Sequence, residues 1–220
     1  MRRRGPRPLR LAFDMDGVMA DLKSALSLEA AVLFGDAAGA QESLTKSRRR
    51  QLWNSVQSTK NFWETLEETE PGGVSRLAAL VAERQWDIIF LTTRPETAGD
   101  SAQAQTQRWL MARGFACPSV FVVRRSRGAI AAALELDVVV DDRPENCLDV
   151  VSESSARAVL MWRRTADPPD IALNRLRIDV VRGLSESLDL LAGIDALRQE
   201  PPSRVSRLLQ AFGAGPAPAV

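Results

Sequence analysis

Six short apolar runs set the limits on what this 220-residue chain can fold into: 9–13, 88–91, 120–123, 138–140, 158–162 and 178–181. Each has the length of a β-strand, Val and Ile dominate several, and none alternates cleanly with polar residues. A strand with that pattern is buried on both faces. Helical patterns separate the runs. Val74, Leu77, Ala78 and Val81 share a helical face ahead of residue 88, and a second helix covers 106–111 and ends near Gly114. An alanine-rich helix covers 129–136, and Leu188, Leu191 and Ile194 mark another over 185–198. Strands alternating with helices predict an α/β fold around a parallel sheet with right-handed crossovers.

Residues 21–70 break this rhythm. Leu22, Leu26, Ala30 and Leu33 fall on one helical face that Gly35 ends. Leu52, Trp53 and Val56 mark a second helix, and Phe62, Trp63 and Leu66 a short third. With no strand-like run inside it, the segment is expected to be a small all-helical insertion after the first strand, and Pro71-Gly72-Gly73 its return hinge. The sheet domain then comprises 9–20 and 71–200. Residues 1–8, with Arg2, Arg3, Arg4 and Arg7 beside Pro6 and Pro8, read as a disordered basic arm. Residues 201–220 read as a flexible tail, with one or two amphipathic turns over 204–212.

Composition removes several chemistries. The chain has no histidine, which excludes imidazole acid/base catalysis and every His-ligated metal site. The two cysteines, Cys117 and Cys147, have no visible base or metal partner and fit a reducing compartment, so the expected location is the cytoplasm. No apolar run approaches the ~20 residues that span a bilayer. Net charge is +1, yet residues 1–10 carry five arginines and no acid, which leaves the remainder net acidic. The body is therefore not a nucleic-acid binder, and only the arm could touch nucleic acid.

In a parallel sheet, ligands sit at the C-terminal strand ends. The first run ends on Asp14 and Asp16, which point the same way from an extended strand, followed by Gly17. The second ends on Thr92-Thr93-Arg94-Pro95, and the fourth on Asp141-Asp142-Arg143-Pro144. Buried strands have no packing reason to end this way. Clustered carboxylates repel one another, and the usual remedy is a hard divalent cation with oxygen ligands such as Mg²⁺. Asp14, Asp16, Asp141 and Asp142 are the candidate ligands. Thr92 and Thr93 can offer hydroxyl donors to a phosphoryl oxygen. Asp14 can act as a nucleophile that forms an aspartyl-phosphate, with Asp16 protonating the leaving oxygen and later deprotonating water.

These residues resemble the motifs of the haloacid dehalogenase-like (HAD) phosphohydrolase superfamily. Phe13-Asp14-Met15-Asp16-Gly17-Val18 resembles its first motif, Leu91-Thr92 its second and Asp141-Asp142 its fourth, over roughly residues 9–165. The resemblance implies a HAD-like Rossmannoid core with an all-helical cap, and a Mg²⁺-dependent phosphatase with Asp14 as nucleophile and Asp16 as acid/base. Asp14-Met15-Asp16-Gly17-Val18-Met19-Ala20-Asp21, Phe62-Trp63 ahead of Glu70-Pro71-Gly72, and Asp141-Asp142-Arg143-Pro144 are further similar to the 5'(3')-deoxyribonucleotidase group. That similarity implies nucleoside monophosphates as substrates. The superfamily's third motif usually supplies a lysine, but no lysine follows Lys60. Arg127 is the nearest positional match for binding phosphate, with Arg125 second, and arginine differs from lysine in reach and geometry.

Several residues carry two readings. Asp21 lines the site entrance or caps the next helix. Arg94 meets substrate phosphate or pairs with a carboxylate, and Arg143 binds substrate or holds its loop. Trp53, Phe62 and Trp63 stack on a nucleobase or form the core of the insertion. Residues 46–50, rich in Lys and Arg, attract an anionic substrate or make a solvated helix face. The alternative functions are a catalytically weak HAD-like binding or regulatory protein, and a phosphatase of nucleic-acid ends or of other small phosphorylated metabolites.

Overall fold

The computed structural model describes residues 7–35, 44–163 and 176–199. The six apolar runs are six strands: β1 (Arg10–Asp14), β2 (Asp87–Thr92), β3 (Val120–Val122), β4 (Val138–Asp141), β5 (Arg157–Met161) and β6 (Ile178–Val181). They form one parallel sheet in the order β3-β2-β1-β4-β5-β6. Leu11, Ala12 and Phe13 of β1 and Val138, Val139 and Val140 of β4 are all buried, as unalternating Val- and Leu-rich strands require. Val123 and Trp162 lie just past their strands, yet their N–H groups still donate to Thr92 O and Val181 O, both at 2.8 Å.

Before β2 the described chain after β1 contains no named strand. It forms α1 (Leu22–Phe34), α2 (Lys46–Ser58), a 3₁₀ turn (Phe62–Glu64) and α3 (Gly73–Arg84). Asp21 caps α1 by accepting from Ser24 N–H at 3.0 Å, which is the helix-cap reading of that residue. The Ser55 hydroxyl of α2 donates to Glu29 of α1 at 2.5 Å and joins the two helices. Residues 46–50 form an exposed first turn and a half of α2.

The chain meets itself where it leaves and rejoins the sheet. Asp21 N–H donates to Glu67 O at 2.9 Å and Thr69 N–H to Met19 O at 2.8 Å, around an antiparallel bridge between Ala20 and Glu68. Thr69 Oγ1 donates to Val18 O at 2.8 Å. Glu70 then accepts from the N–H groups of Leu184 and Ser185, which open the last helix. Those are donors that a helix start leaves without internal partners.

The remaining helices are α4 (Ala102–Met111), α5 (Arg127–Ala133), α6 (Pro144–Glu153) and α7 (Leu184–Gln199). No helix is expected over α6 from the runs named above, although Cys147, Leu148, Val150 and Val151 give it an apolar face. Local signals add to that face: Pro144 at the first position, where a missing N–H is harmless, and Glu145 in the first turn. The chain divides into two units, Pro8–Leu188 and a second made of Met1–Arg7 with Asp189–Val220. The sheet and everything below belong to the first. The basic arm but for Arg7 and Pro8, and the tail from 201 with its amphipathic turns, lie outside the described residues.

Candidate active site

Register brings the chemistry together. Phe13 pairs with Val140 and Asp14 with Leu91, so Asp14, Asp141 and Thr92 leave three adjacent strands at one level. In this strand order the connections reverse direction between β1 and β4, where an open α/β sheet has its ligand crevice. Beyond β1 the chain closes a tight turn: Met15 O accepts from both Met19 N–H and Ala20 N–H at 2.9 Å. Gly17 has φ +86°, and a Cβ there would fall inside the Asp142 carboxylate, so only glycine allows this approach.

Two arginines engage three of the carboxylates. Arg127 Nη2 donates to Asp14 Oδ1 at 2.6 Å and its Nε to Asp141 Oδ2 at 3.4 Å. Its Nη1 is buried and has no partner among the described residues. Arg127, rather than Arg125, therefore reaches the first-motif carboxylate. Arg94 Nε donates to both oxygens of Asp16 at 3.1 and 3.0 Å, and Nη2 to Oδ1 at 2.6 Å. Of the two readings of Arg94, the structure shows the carboxylate pair.

The four acidic residues are not equivalent. Asp141 is fully buried, and both its oxygens accept from Asn146 Nδ2 at 2.9 Å while Oδ1 also accepts from Arg143 N–H at 2.9 Å. Among the described residues, the Asp142 carboxylate accepts from its own backbone N–H and forms no ion pair, and Asp14 Oδ2 has no partner. Burial first, then the neighbouring Asp141 charge, pushes Asp142 up to about 6. The same two causes hold Asp14 well above the usual carboxylate range, against the pull of Arg127. Burial also raises Asp141, opposed by its bonds from Asn146 and Arg143. Negative charge therefore exceeds what the arginines neutralise, and a cation would relieve it.

A cavity of about 650 Å³ opens over this floor. Asp14, Asp16, Asp142, Thr92, Thr93, Arg94 and Arg127 line it, joined by Trp53 and Gln57 of α2 and by Trp63. Thr92 is buried and Thr93 exposed. Phe62 does not line the cavity; it packs edge-on against Trp63 at 5.2 Å. Asp141 lies beneath the lining and Arg143 and Asn146 at its margin. Sequence reasoning missed Gln57, Asn146 and Arg163. Gln57 sits one helical turn after Trp53, so the shared face was its signal. Asn146 lies in the first turn of α6. Arg163, just past β5 on the same rim, donates to Gly17 O and, at 3.3 Å, to Val18 O, so it holds the first-motif turn.

No family model matches the chain, and no curated protein matches it. Solved structures do. It is similar to a HAD family hydrolase from Deinococcus radiodurans R1, solved with bound phosphate and sodium, at 14% identity over 88% of this chain and 99% of that one, with a TM-score of 0.54. A HAD-superfamily hydrolase of subfamily IA from Geobacter sulfurreducens PCA matches at 10% identity over 84% and 96%, with a TM-score of 0.51. The fold is the HAD-like α/β fold. An L-2-haloacid dehalogenase shares it at 13% identity over 84% of this chain and 100% of that one, with a TM-score of 0.54. The HAD-like fold alone thus leaves the reaction open, and the residues must decide it.

Proposed function

We propose that this chain is a phosphomonoester hydrolase acting through an aspartyl-phosphate on Asp14. The observation that carries the reading is Arg127: one buried guanidinium holds Asp14 and Asp141 and keeps Nη1 uncommitted beside the nucleophile. A phosphoryl oxygen arriving in the cavity would meet the Arg127 guanidinium and Thr92, both in its lining, the positive and oriented partners that phosphoryl transfer needs. A carbon–halogen bond makes different demands. Halide leaves without a proton, so the acid half of the Asp16 role would go unused.

Asp14 Oδ2 attacks phosphorus and the bond to the leaving oxygen breaks. Asp16 gives that oxygen its proton, then takes one from the water that hydrolyses the aspartyl-phosphate. Mg²⁺ fits the donor set. Among the described residues no three acidic or cysteine side chains form a metal cluster. Mg²⁺, however, is commonly held by one or two carboxylates with substrate phosphate and water. Asp142 is the carboxylate with most to offer, since Asp14 has Oδ1 on Arg127 and needs Oδ2 for the attack on phosphorus, while Asp16 is held by Arg94 and Asp141 by Asn146. The ion would neutralise charge on the phosphate.

Nucleoside monophosphates are the substrates we infer. Trp53 and Trp63 give the cavity an aromatic wall at which a base can stack, and similarity to the deoxyribonucleotidase group at the first, second and fourth motifs points the same way. No described helix is long and apolar enough to cross a membrane. We place the activity in the cytoplasm, in keeping with the free thiols of Cys117 and Cys147. The test is phosphate release from ribo- and deoxyribonucleoside monophosphates and sugar phosphates, with Mg²⁺ and with EDTA. Release should need Mg²⁺ and fall at least about a thousandfold in Asp14→Asn, as removal of a catalytic nucleophile does. Retained turnover in that variant sinks the mechanism. No release from any ester would favour a binding or regulatory protein.

A further inference from the structure

We propose that Arg94 is a positioning residue: it fixes the Asp16 carboxylate for leaving-group protonation and fastens it to Trp63 of the inserted segment. The inference rests on the phosphatase reading above and adds a residue to it. Each guanidinium nitrogen of Arg94 already has an acceptor. Nε and Nη2 bind Asp16, and Nη1 donates to Thr106 Oγ1 of α4 at 2.8 Å. The guanidinium lies 4.8 Å from the Trp63 ring centre, and its side chain is fully buried while Asp16 keeps 19% exposure.

The anchors are themselves fixed. Thr106 Oγ1 donates to Ala102 O at 2.7 Å. Trp63 Nε1 donates to Pro95 O at 3.0 Å, and Trp63 N–H donates to Gln105 Oε1 at 3.0 Å. Arg94 thus grips one edge of Asp16, with two donors on Oδ1 and one on Oδ2. Oδ2 keeps a lone-pair direction for a reactant in the cavity. A fork held on three sides sets the angle of the carboxylate; a lysine would supply charge without that angle.

The consequence is selective. An alkoxide leaves poorly and needs a proton as the phosphorus–oxygen bond breaks, whereas 4-nitrophenolate leaves without one. Loosening Asp16 therefore slows phosphoryl transfer from alkyl esters and spares it from activated aryl esters. The later attack of water on the aspartyl-phosphate is common to both, so kcat/KM, which reports only the steps up to leaving-group release, isolates the difference. Arg94→Gln and Arg94→Lys are compared with wild type on the best-hydrolysed nucleoside monophosphate and on 4-nitrophenyl phosphate, with kcat and KM measured separately. The expected result is a fall in kcat/KM of roughly a hundredfold on the nucleotide, the lower range of general-acid contributions, and only about threefold on the aryl ester. Lysine should not rescue.

Equal losses on both esters, or full rescue by lysine, would overturn the positioning role and leave the phosphatase reading intact. No turnover of either ester by the wild-type chain would overturn both. Should the Arg94 variants fail to fold by circular dichroism, Thr106→Val removes one anchor and should show the same selectivity at several-fold size. Equal or no loss there also overturns the role.

Discussion

The sheet and the segment inserted after β1 are built to opposite standards. All four residues of β4 are buried, as are the three central residues of β1. Helices α1 and α2 have thirteen residues each and bury two apiece, Leu26 with Ala30 and Leu52 with Val56. On α1, Leu28 is 71% exposed and Val32 81%. Burial stabilises by about 25 cal/mol per Å² of apolar surface, so the sheet is anchored many times over and the insertion lightly. The carboxylates of Asp14 and Asp16 follow the tightly buried part, and Trp53 and Gln57 the light part. A firmly held cavity floor thus adjoins a wall with fewer buried contacts.

The contrast can be broken by mutation. Phe90→Ala removes a fully buried ring that meets Phe115 edge-on at 5.0 Å. It should cost about 3–5 kcal/mol, read as a shift of the urea midpoint. Leu52→Ala, also fully buried but with few buried neighbours on its helix, should cost about 2 kcal/mol because the site can collapse. Equal losses at the two sites would erase the distinction. Amide exchange sharpens it: α1 and α2 should exchange well before β1 and β4.

Smaller again is the tie at Glu70. Burial there raises the carboxyl, but the N–H groups of Ser185 and Leu184 outweigh it and hold it below the usual 4.5. A depressed folded value means stability that is complete above pH 4.5 and lost as pH falls through the folded value. Glu70→Gln should therefore lower stability at neutral pH, and the gap from wild type should close in acid melts below 4.5. Least of all, Leu28→Ser on the outer face of α1 should move stability by no more than about 0.5 kcal/mol.

All six strands were legible because short apolar runs without clean polar alternation have few other uses, and the polar endings of three of them marked the rim. Helix α6 was not, since its ten residues follow the polar ending of β4 almost directly and four apolar positions are a short sample of helical periodicity. The site residues Asp14, Asp16, Thr92, Asp142 and Arg127 do share one cavity floor. Their partners were hidden. Arg94 meets Asp16 across 78 positions of sequence and Arg127 meets Asp14 across 113, distances at which spacing carries no information. The division of labour between Asp141 and Asp142 was equally unreadable. Neighbours in sequence face different surroundings, and only the turn at Gly17 and the first turn of α6 reveal which oxygens are engaged.

The pairing of Ala20 with Glu68 has a consequence for how such a molecule can change. The insertion starts and finishes at one point, so the sheet registers only that the two ends meet. Loop closure varies with the logarithm of length, about 0.6 kcal/mol for each doubling. Segments of other sizes and sequences could be grafted between those ends with little penalty to the framework. Selectivity and architecture are then separately heritable: a lineage could exchange what it admits without re-solving how it cuts.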